Sequence, residues 1–400
     1  MPYDNLDLRI QADGDGFAVV AQRGSQSVRE DFDPAPLGWT DLKELEARGD
    51  HEIRRYGSAL FNALIRGKVR DLYQQGRGNL GNDAARGLRI RIIIDLRDPR
   101  LRPLMRVPWE ILYDPSADAS QLLALDARRA IVRMIESSEP SVEPPAGPLR
   151  RVLLVAANPV DTTRLNLDNE CMRAEEALSR MHIRPDVLRG ATRSALYDRI
   201  RDREPQIVHF MGHGMLDATR EEGALLLEGK DRNRDVLHAS TFATFFAGGA
   251  MPRLVVLNAC LTAAEGRAET FEAFSSVATA LIAAGLPAVI AMQSTIRDNS
   301  ACRFTERLYG GLVANKPIEA AVSDARAALS SMGRYMLDWA APVLYLTAQG
   351  GGRIEAREPD ARQRAQAPQG QAPASTAVEK NYGVVIIGPV STVTSQVTSK

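Results

Sequence analysis

Cysteine, long apolar runs and excess charge of either sign are scarce in this 400-residue sequence. The three cysteines, Cys171, Cys260 and Cys302, include no CxxC pair, which argues against a disulfide scaffold or a cysteine-rich zinc site. No apolar stretch reaches about 18 residues and the first residues do not resemble a signal peptide, so we expect a cytoplasmic protein without a membrane span. Basic and acidic residues both number 50, so the sequence does not favour nucleic acid or an anionic membrane as partner.

Apolar residues make up 44% of the chain, which is enough to build a core. Residues 1–140 are predicted to form a smaller α+β region, in which Leu42–Gln75 forms one or two helices and 88–96 forms a buried strand. Four prolines within 137–148 predict a linker and a domain boundary. The region before it is either a regulatory, pro-domain-like unit or an extension of the domain that follows.

Residues 149–349 have a different hydrophobic pattern, in which apolar runs alternate with amphipathic segments of helical length. This alternation predicts βαβ units, and therefore an α/β fold with a mostly parallel sheet flanked by helices. Thr192 is the expected N-cap of one helix. The main predicted strands are 151–158, 206–210, 253–258 and 287–293, and the main predicted helices are 167–181, 192–203 and 275–285.

The C-terminal residues divide into two segments of opposite character. Residues 350–380 contain almost no large apolar side chains and are predicted to be a disordered linker. Residues 381–400 include the uncharged stretch Gly383–Ser399, which is rich in Val, Ile, Thr and Ser and is β-prone. We expect a recruitment motif that pairs with like motifs, in an amyloid-like manner, or with a partner's sheet edge. The alternatives are a strand docked back on this chain and a segment without function.

Reactive side chains follow two of the predicted strands. The strand at 206–210 runs into a glycine-rich loop that carries His213 and Gly214, and the strand at 253–258 runs into Cys260. Functional groups in open α/β sheets gather at the C-terminal ends of strands. A thiol with a pKa of about 8.5 needs a base to attack a carbonyl at neutral pH, and an imidazole can supply it. The backbone amides of Gly214 and Cys260 are the candidate oxyanion donors.

Structural roles are the alternative for each of these residue types. A cysteine at a strand end is often a core residue, which is the alternative for Cys260. Cys171, on a predicted amphipathic helix, and Cys302, near a predicted helix start, are expected to be structural. His209 lies four residues before His213, but a metal pair at that spacing needs a helix and this segment is predicted to be a strand. We therefore expect a packed or orienting His209, no metal site and no cofactor. The sequence also lacks a P-loop and a dinucleotide-binding motif.

The segments HFMGHG and LVVLNACLTA, which contain His213 and Cys260, resemble the CHAT family of caspase-like peptidases, in the clan of caspases and separases. The resemblance extends over about residues 90–350. It implies a caspase-like fold and a His–Cys dyad with endopeptidase activity, in which His213 is the general base and Cys260 the nucleophile. The 47-residue separation is also similar to the spacing of about 50 residues in caspases.

Three departures qualify the resemblance. The expected tryptophan after one core strand is absent from Ala291–Ser294, and no tetratricopeptide repeats are found. Leu261 follows Cys260 where caspases have arginine, so specificity for aspartate does not carry over. Related clan members select Lys or Arg with an acidic residue, which implies Asp298, and less directly Asp217, as substrate-binding residues. The alternative for Asp298 is a helix N-terminal residue.

The leading hypothesis is a cysteine endopeptidase that cleaves a protein substrate and is activated by recruitment or proximity. An upstream sensor or activator would act through residues 381–400, or the tail would self-assemble. The resemblance places such an enzyme in a bacterial defence or regulated cell-death pathway. Two rivals remain: a non-catalytic signalling adaptor that acts through its tail, and a cysteine-dependent amidase for a small substrate.

Overall fold

The computed structural model describes residues 1–34, 42–81, 83, 85–95, 98–116, 122–135, 147–249, 251–260, 267–333, 337–347, 350 and 354. Side chains are described for all of these except 259–260 and 267–274. Most of the predicted linker at 137–148 therefore lies outside the described residues. The same holds for the predicted disordered segment 350–380, apart from Gly350 and Ile354, and for the recruitment motif 381–400.

The N-terminal region contains more elements than the sequence predicted. The segment Leu42–Gln75 was predicted as one or two helices and contains three, because Gly49 and Gly67 adopt positive φ angles of +87° and +47° that interrupt the helical backbone. The elements are β1 (Tyr3–Asp13), β2 (Gly16–Arg23), β3 (Gln26–Phe32), α1 (Leu42–Arg48), α2 (Asp50–Leu64), α3 (Gly67–Leu80), β4 (Gly87–Ile94) and β5 (Arg129–Ile135).

The rest of the chain alternates strands and helices, as predicted. The Thr192 hydroxyl accepts a hydrogen bond from the Ala195 amide at 3.3 Å, which confirms it as an N-cap. The elements are β6 (Val152–Ala156), α4 (Leu167–Ser179), β7 (Asp186–Arg189), α5 (Arg193–Arg203), β8 (Ile207–Asp217), β9 (Glu222–Glu228), β10 (Arg234–His238), α6 (Ala239–Thr244), β11 (Leu254–Cys260), α7 (Arg267–Ala283), β12 (Ala288–Met292), α8 (Asp298–Val313), α9 (Ile318–Ser330) and β13 (Pro342–Leu346).

Strands among the described residues form a single 13-stranded sheet in the order β10-β9-β8-β11-β12-β13-β5-β4-β1-β2-β3. Strands β6 and β7 extend it beside the first half of β8. Most pairs near the centre are parallel, whereas the outer hairpins β1-β2-β3 and β8-β9-β10 are antiparallel. The predicted mostly parallel sheet flanked by helices is confirmed.

The sheet continues across the segment predicted to be a domain boundary. Strand β13 pairs antiparallel with β12 on one side and parallel with β5 on the other, where Tyr345 is opposite Arg133. Residues Met1–Glu358 form one compact unit. The N-terminal region therefore contributes strands to the same sheet as residues 149–349.

A buried polar bridge reinforces this connection. The Arg133 guanidinium, on β5, lies 2.6 Å from a carboxylate oxygen of Glu110 and donates to the side-chain oxygen of Gln293 at 2.8 Å. The Gln293 amide donates to Glu110 at 2.7 Å. Since Gln293 directly follows β12, this bridge fixes the start of the connection between β12 and α8. None of the helices formed by the described residues is long and apolar enough to cross a bilayer.

Candidate active site

His213 and Cys260 lie on neighbouring parallel strands. The register of β8 and β11 begins with Ile207 opposite Leu254 and ends with His213 opposite Cys260. Adjacent strands in a sheet lie about 4.8 Å apart, so the backbones of these two residues are direct neighbours. The two residues singled out from the sequence thus occupy paired positions in the sheet.

The His213 ring is buried and contacts a backbone carbonyl group. Its Nε2 lies 2.7 Å from the carbonyl oxygen of Thr163. A carbonyl oxygen only accepts hydrogen bonds, so Nε2 carries the proton and donates. In a neutral imidazole the other nitrogen, Nδ1, is then the basic one. The contact therefore sets both the ring orientation and the tautomer.

Thr163 belongs to the loop between β6 and α4, and Asn158 closes this loop. The Asn158 side-chain amide donates to the Leu165 carbonyl at 3.0 Å, and its oxygen accepts from the Leu165 amide at 3.3 Å. Its backbone amide also donates to Glu228 at 3.1 Å. Asparagine is a frequent loop residue because its side chain mimics a backbone turn. That preference was the only feature of the sequence that indicates a role for Asn158 in this loop, and the sequence analysis did not identify the residue.

The glycines around His213 lie within a strand, so the predicted glycine-rich loop was wrong. Strand β8 continues to Asp217 and pairs antiparallel with β9 from His213 onward. A Cβ on Gly212 would lie 2.7 Å from the Ala157 carbonyl oxygen and 2.9 Å from the Phe210 ring. Glycine is required there by close packing. Gly214 is opposite Leu225 in the ladder, and its role as an oxyanion donor stays a prediction.

Asp298 is exposed, begins α8 and borders a small pocket. The pocket also touches Gly212, next to His213, and Asn258, two residues before Cys260. Asp298 therefore lies at a helix N-terminus, which was one expectation from the sequence. It also lies beside the paired strands, and its role in substrate binding stays a prediction. The residues lining the pocket are Leu165, Asn166, Leu167, Glu170, Gly212, Asn258, Asp298 and Ala301.

Asp217 is engaged elsewhere. Its carboxylate lies 3.0 Å from Nε2 of His238 and accepts from the backbone amides of Thr219 and Arg220. The hydrogen bond with His238, together with these amides, holds the pKa of Asp217 below its usual range. Four residues of strand, about 13 Å, separate it from His213. Asp217 is not among the described residues that line the pocket, so the structure does not bring it together with Asp298.

A buried polar cluster beneath the pocket was missed by sequence reasoning. Glu170, on α4, accepts hydrogen bonds from the side chains of Asn258 and Thr305. Nε2 of His209 lies 3.4 Å from the same Glu170 oxygen, and Nδ1 lies 3.3 Å from the Tyr309 hydroxyl. Burial raises the pKa of Tyr309, so its hydroxyl stays protonated. The sequence feature that could have indicated this cluster is a glutamate, Glu170, on the inner face of an amphipathic helix.

His209 is thus a packed histidine within this cluster, fully buried beside Glu170. Across the residues whose side chains are described, no group of three or more His, Cys, Asp or Glu side chains could hold a metal ion.

The CHAT domain family model matches residues 54–347 of the 400. The chain belongs to the CHAT domain family. This confirms the family inferred from the segments around His213 and Cys260. Comparison with curated proteins gives no match.

Solved structures similar to this CHAT protein include separase from Saccharomyces cerevisiae in complex with securin. The identity is 13%, over 67% of this chain and 15% of that chain, with a TM-score of 0.37. Gingipain R, described as an Arg-specific cysteine proteinase, is 13% identical over 74% of this chain and 71% of that chain, with a TM-score of 0.44. The complex of Porphyromonas gingivalis RgpB pro- and mature domains is 10% identical over 79% and 73%, with a TM-score of 0.43.

Two cysteines of this CHAT protein have surroundings that suppress thiolate formation. Cys171 is fully buried, with its sulfur 3.8 Å from the Met211 sulfur, and burial raises its pKa to about 12. Burial likewise raises the pKa of Cys302 to about 11. Both side chains are therefore neutral thiols at neutral pH, which fits the structural roles expected for them.

Proposed function

We propose that this CHAT protein is a cysteine endopeptidase in which Cys260 is the nucleophile and His213 the general base. The observation that carries the proposal is the strand register, which pairs His213 with Cys260 in a chain of the CHAT domain family. Thr163 supports the assignment, because its carbonyl leaves the proton on Nε2 and makes Nδ1 the basic nitrogen.

The proposed reaction begins when His213 Nδ1 accepts the proton of the Cys260 thiol. The thiolate then attacks the carbonyl carbon of the scissile amide, and the amides of Gly214 and Cys260 donate to the developing oxyanion. The imidazolium protonates the leaving amine, which departs and leaves an acyl-enzyme. Water activated by His213 then attacks the thioester, releases the acid product and restores the thiol.

Asp298 is the proposed substrate-binding carboxylate. It is exposed at the start of α8 and borders the same small pocket as Asn258, which lies two residues before Cys260. An exposed carboxylate beside the paired residues favours a donor-bearing cationic side chain, as in Lys or Arg. We therefore propose that the residue before the cleaved bond is basic. Asp217 is the weaker candidate for substrate binding, because its carboxylate already contacts His238 and accepts a hydrogen bond from the turn that follows.

Activation is proposed to occur by recruitment through residues 381–400. The composition of Gly383–Ser399, which is uncharged and β-prone, supports this part of the proposal. The partners would be a protein substrate and either an upstream sensor or further copies of the tail. The scarcity of cysteine and the lack of long apolar stretches support a cytoplasmic setting, and the family resemblance supports a role in bacterial defence or regulated cell death.

Thiol alkylation gives a first test of the nucleophile. Treatment of the native protein with iodoacetamide at about pH 6.5 is expected to modify Cys260 at least about tenfold faster than Cys171 or Cys302, because only a thiolate reacts well. Peptide mass spectrometry over a time course measures the three rates in one sample. Equal rates at the three cysteines would contradict an activated Cys260.

Mapping of cleavage products tests the function itself. The full chain is incubated with a peptide mixture from a digested proteome, and new N-termini are identified by mass spectrometry. We expect products from the wild type and from the matched control Cys302→Ala, and none from Cys260→Ala, because the control thiol is half-buried and its raised pKa keeps it protonated. Arg or Lys before each cut would support Asp298, whereas acidic or apolar residues there would remove that role.

Cleavage that persists in Cys260→Ala would overturn the proposal. Cleavage of small amides without any peptide product would instead favour an amidase. A cellular effect that Cys260→Ala retains in full would favour the adaptor.

A further inference from the structure

Asp338 is the centre of an ionic cluster next to the proposed substrate-binding residue. Its carboxylate is almost completely buried and accepts from the Ser300 hydroxyl at 2.6 Å and from the Arg297 backbone amide at 3.3 Å. One guanidinium nitrogen of Arg297 lies 2.9 Å from the other carboxylate oxygen. Arg297 directly precedes Asp298, and Ser300 lies in the first turn of α8. Asp338 therefore binds the backbone amide directly before Asp298 and a side chain two residues after it.

Helix α1 supplies the other half of this cluster. The Lys43 ammonium donates to Asp338 at 2.9 Å, and one oxygen of Glu46 forms a close ion pair with Arg297. The second oxygen of Glu46 accepts from the Leu337 amide at 2.7 Å, directly before Asp338. Two cations and two carboxylates thus alternate, and we call Lys43, Glu46, Arg297 and Asp338 the α1 latch.

The charges in the α1 latch are balanced, and the Asp338 carboxylate among them is almost completely withdrawn from water. Burial alone would raise the pKa of Asp338, but hydrogen bonds from Ser300 and Lys43 outweigh it and hold that pKa below its usual range. Asp338 therefore stays ionised at neutral pH, and its bonds to the start of α8 are charge-assisted and directional. Removal of a charge from α1 changes the electrostatic surroundings of Arg297 and Asp338, because each of them contacts one charged residue of α1 and also the other.

Helix α1 also lies outside the residues that match the CHAT domain model, which begin at 54. Arg297 and Asp338 lie inside them. The α1 latch thus joins an N-terminal helix to the segment that carries Asp298, at a point where that segment leaves the sheet.

We propose that α1 is a positioning element for substrate binding, and that Lys43 and Glu46 act through Arg297 and Asp338 to fix Asp298 at the pocket. This inference rests on the proposed function for the role of Asp298. Lys43 and Glu46 are positioning residues that touch no substrate. A loosened latch lets Asp298 move away from its place beside Asn258 and Glu170, while His213 and Cys260 remain in register.

The test compares two substitutions on the same helix. Glu46→Gln keeps an oxygen for the Leu337 amide and removes the charge that pairs with Arg297. It is expected to raise KM for a basic peptide about 5- to 10-fold and to change kcat less than about twofold, because a displaced binding group weakens substrate orientation. Glu44→Gln is the matched control, since Glu44 is an exposed residue of the same helix and its carboxylate lies 4.0 Å from the Arg48 guanidinium, outside the α1 latch. It should leave both constants unchanged.

A double-substitution cycle tests whether Glu46 affects substrate binding through Asp298. In the background of Asp298→Asn, Glu46→Gln should have no further effect on KM if it acts through Asp298. An undiminished effect in that background would overturn the inference, as would an unchanged KM in Glu46→Gln alone. Lys43→Met removes the other α1 charge and should raise KM in the same way, so the test does not depend on one variant folding.

Hydrogen exchange separates this inference from the proposed function. Amides of residues 293–300 are expected to exchange faster in Glu46→Gln than in the wild type or in Glu44→Gln. If the wild type cleaves nothing, no KM is measured, and exchange alone then decides whether α1 positions the segment around Asp298. Unchanged exchange in Glu46→Gln would overturn the latch whether or not the protein is a peptidase.

Discussion

Alanine at His213, alanine at Cys260 and alanine at both positions are expected to lower kcat/KM by the same factor, about 10³ or more. The reason is that a base and a nucleophile that share one proton act as a unit, so loss of either removes the whole step. The pairing of His213 with Cys260 in the register of β8 and β11 is the structural basis for this expectation.

Steady-state kinetics on one peptide, with active-enzyme concentration determined separately, give the three factors. His238→Ala is the matched control, because His238 also contacts a strand-end group, the Asp217 carboxylate at 3.0 Å, but lies away from the paired residues. It should retain activity close to that of the wild type. Activity of His213→Ala within about tenfold of the wild type would contradict general-base catalysis, which contributes about 10²–10⁴.

Glu110→Ala is expected to lower the free energy of unfolding by about 3–5 kcal/mol, because it leaves a buried guanidinium without its counter-charge. The Arg133 side chain is only 1% exposed, and its partner Glu110 is fully buried. The substitution also removes one acceptor of the Gln293 side-chain amide, which keeps its hydrogen bond to the Ala340 carbonyl. Removing one member of a buried pair is costly even when the intact pair contributes little.

Urea unfolding of the wild type and the variant measures this loss. Asp98→Ala is the matched control, since Asp98 pairs with Arg100 at 3.0 Å on the surface, and its removal should change the midpoint little. The double variant Glu110→Met, Arg133→Met should recover most of the loss, because apolar residues of similar volume can replace a buried pair. A Glu110→Ala protein as stable as the wild type would refute the expectation.

The sequence allowed the position of the paired residues to be predicted because the relevant signals are local. Apolar runs that alternate with helices indicate parallel strands, and parallel strands bring their C-terminal ends to one edge. His213 and Cys260 end two such runs, so their proximity could be expected before the register was known.

Other features depend on contacts between distant parts of the chain. The segment MGHGM has the composition of a loop, and only the close approach of the Ala157 carbonyl to Gly212 explains why a strand needs glycine there. The pairing of β13 with β5 joins residues about 200 positions apart, which no local pattern encodes. Glu170 was missed for the same reason, since its partners Asn258 and Thr305 come from two later elements.

On one side, strand β8 changes its pairing partner along its length. It pairs parallel with β6 up to Met211 and antiparallel with β9 from His213 onward. The backbone of the proposed dyad is therefore fixed by strand ladders, whereas its surroundings belong to connecting segments: the loop that presents Thr163, the start of α8 and the β9-β10 hairpin. Selection on those connections can alter what is bound while the ladder keeps the reacting pair in place. Catalysis and substrate preference can then evolve at separate rates within one lineage.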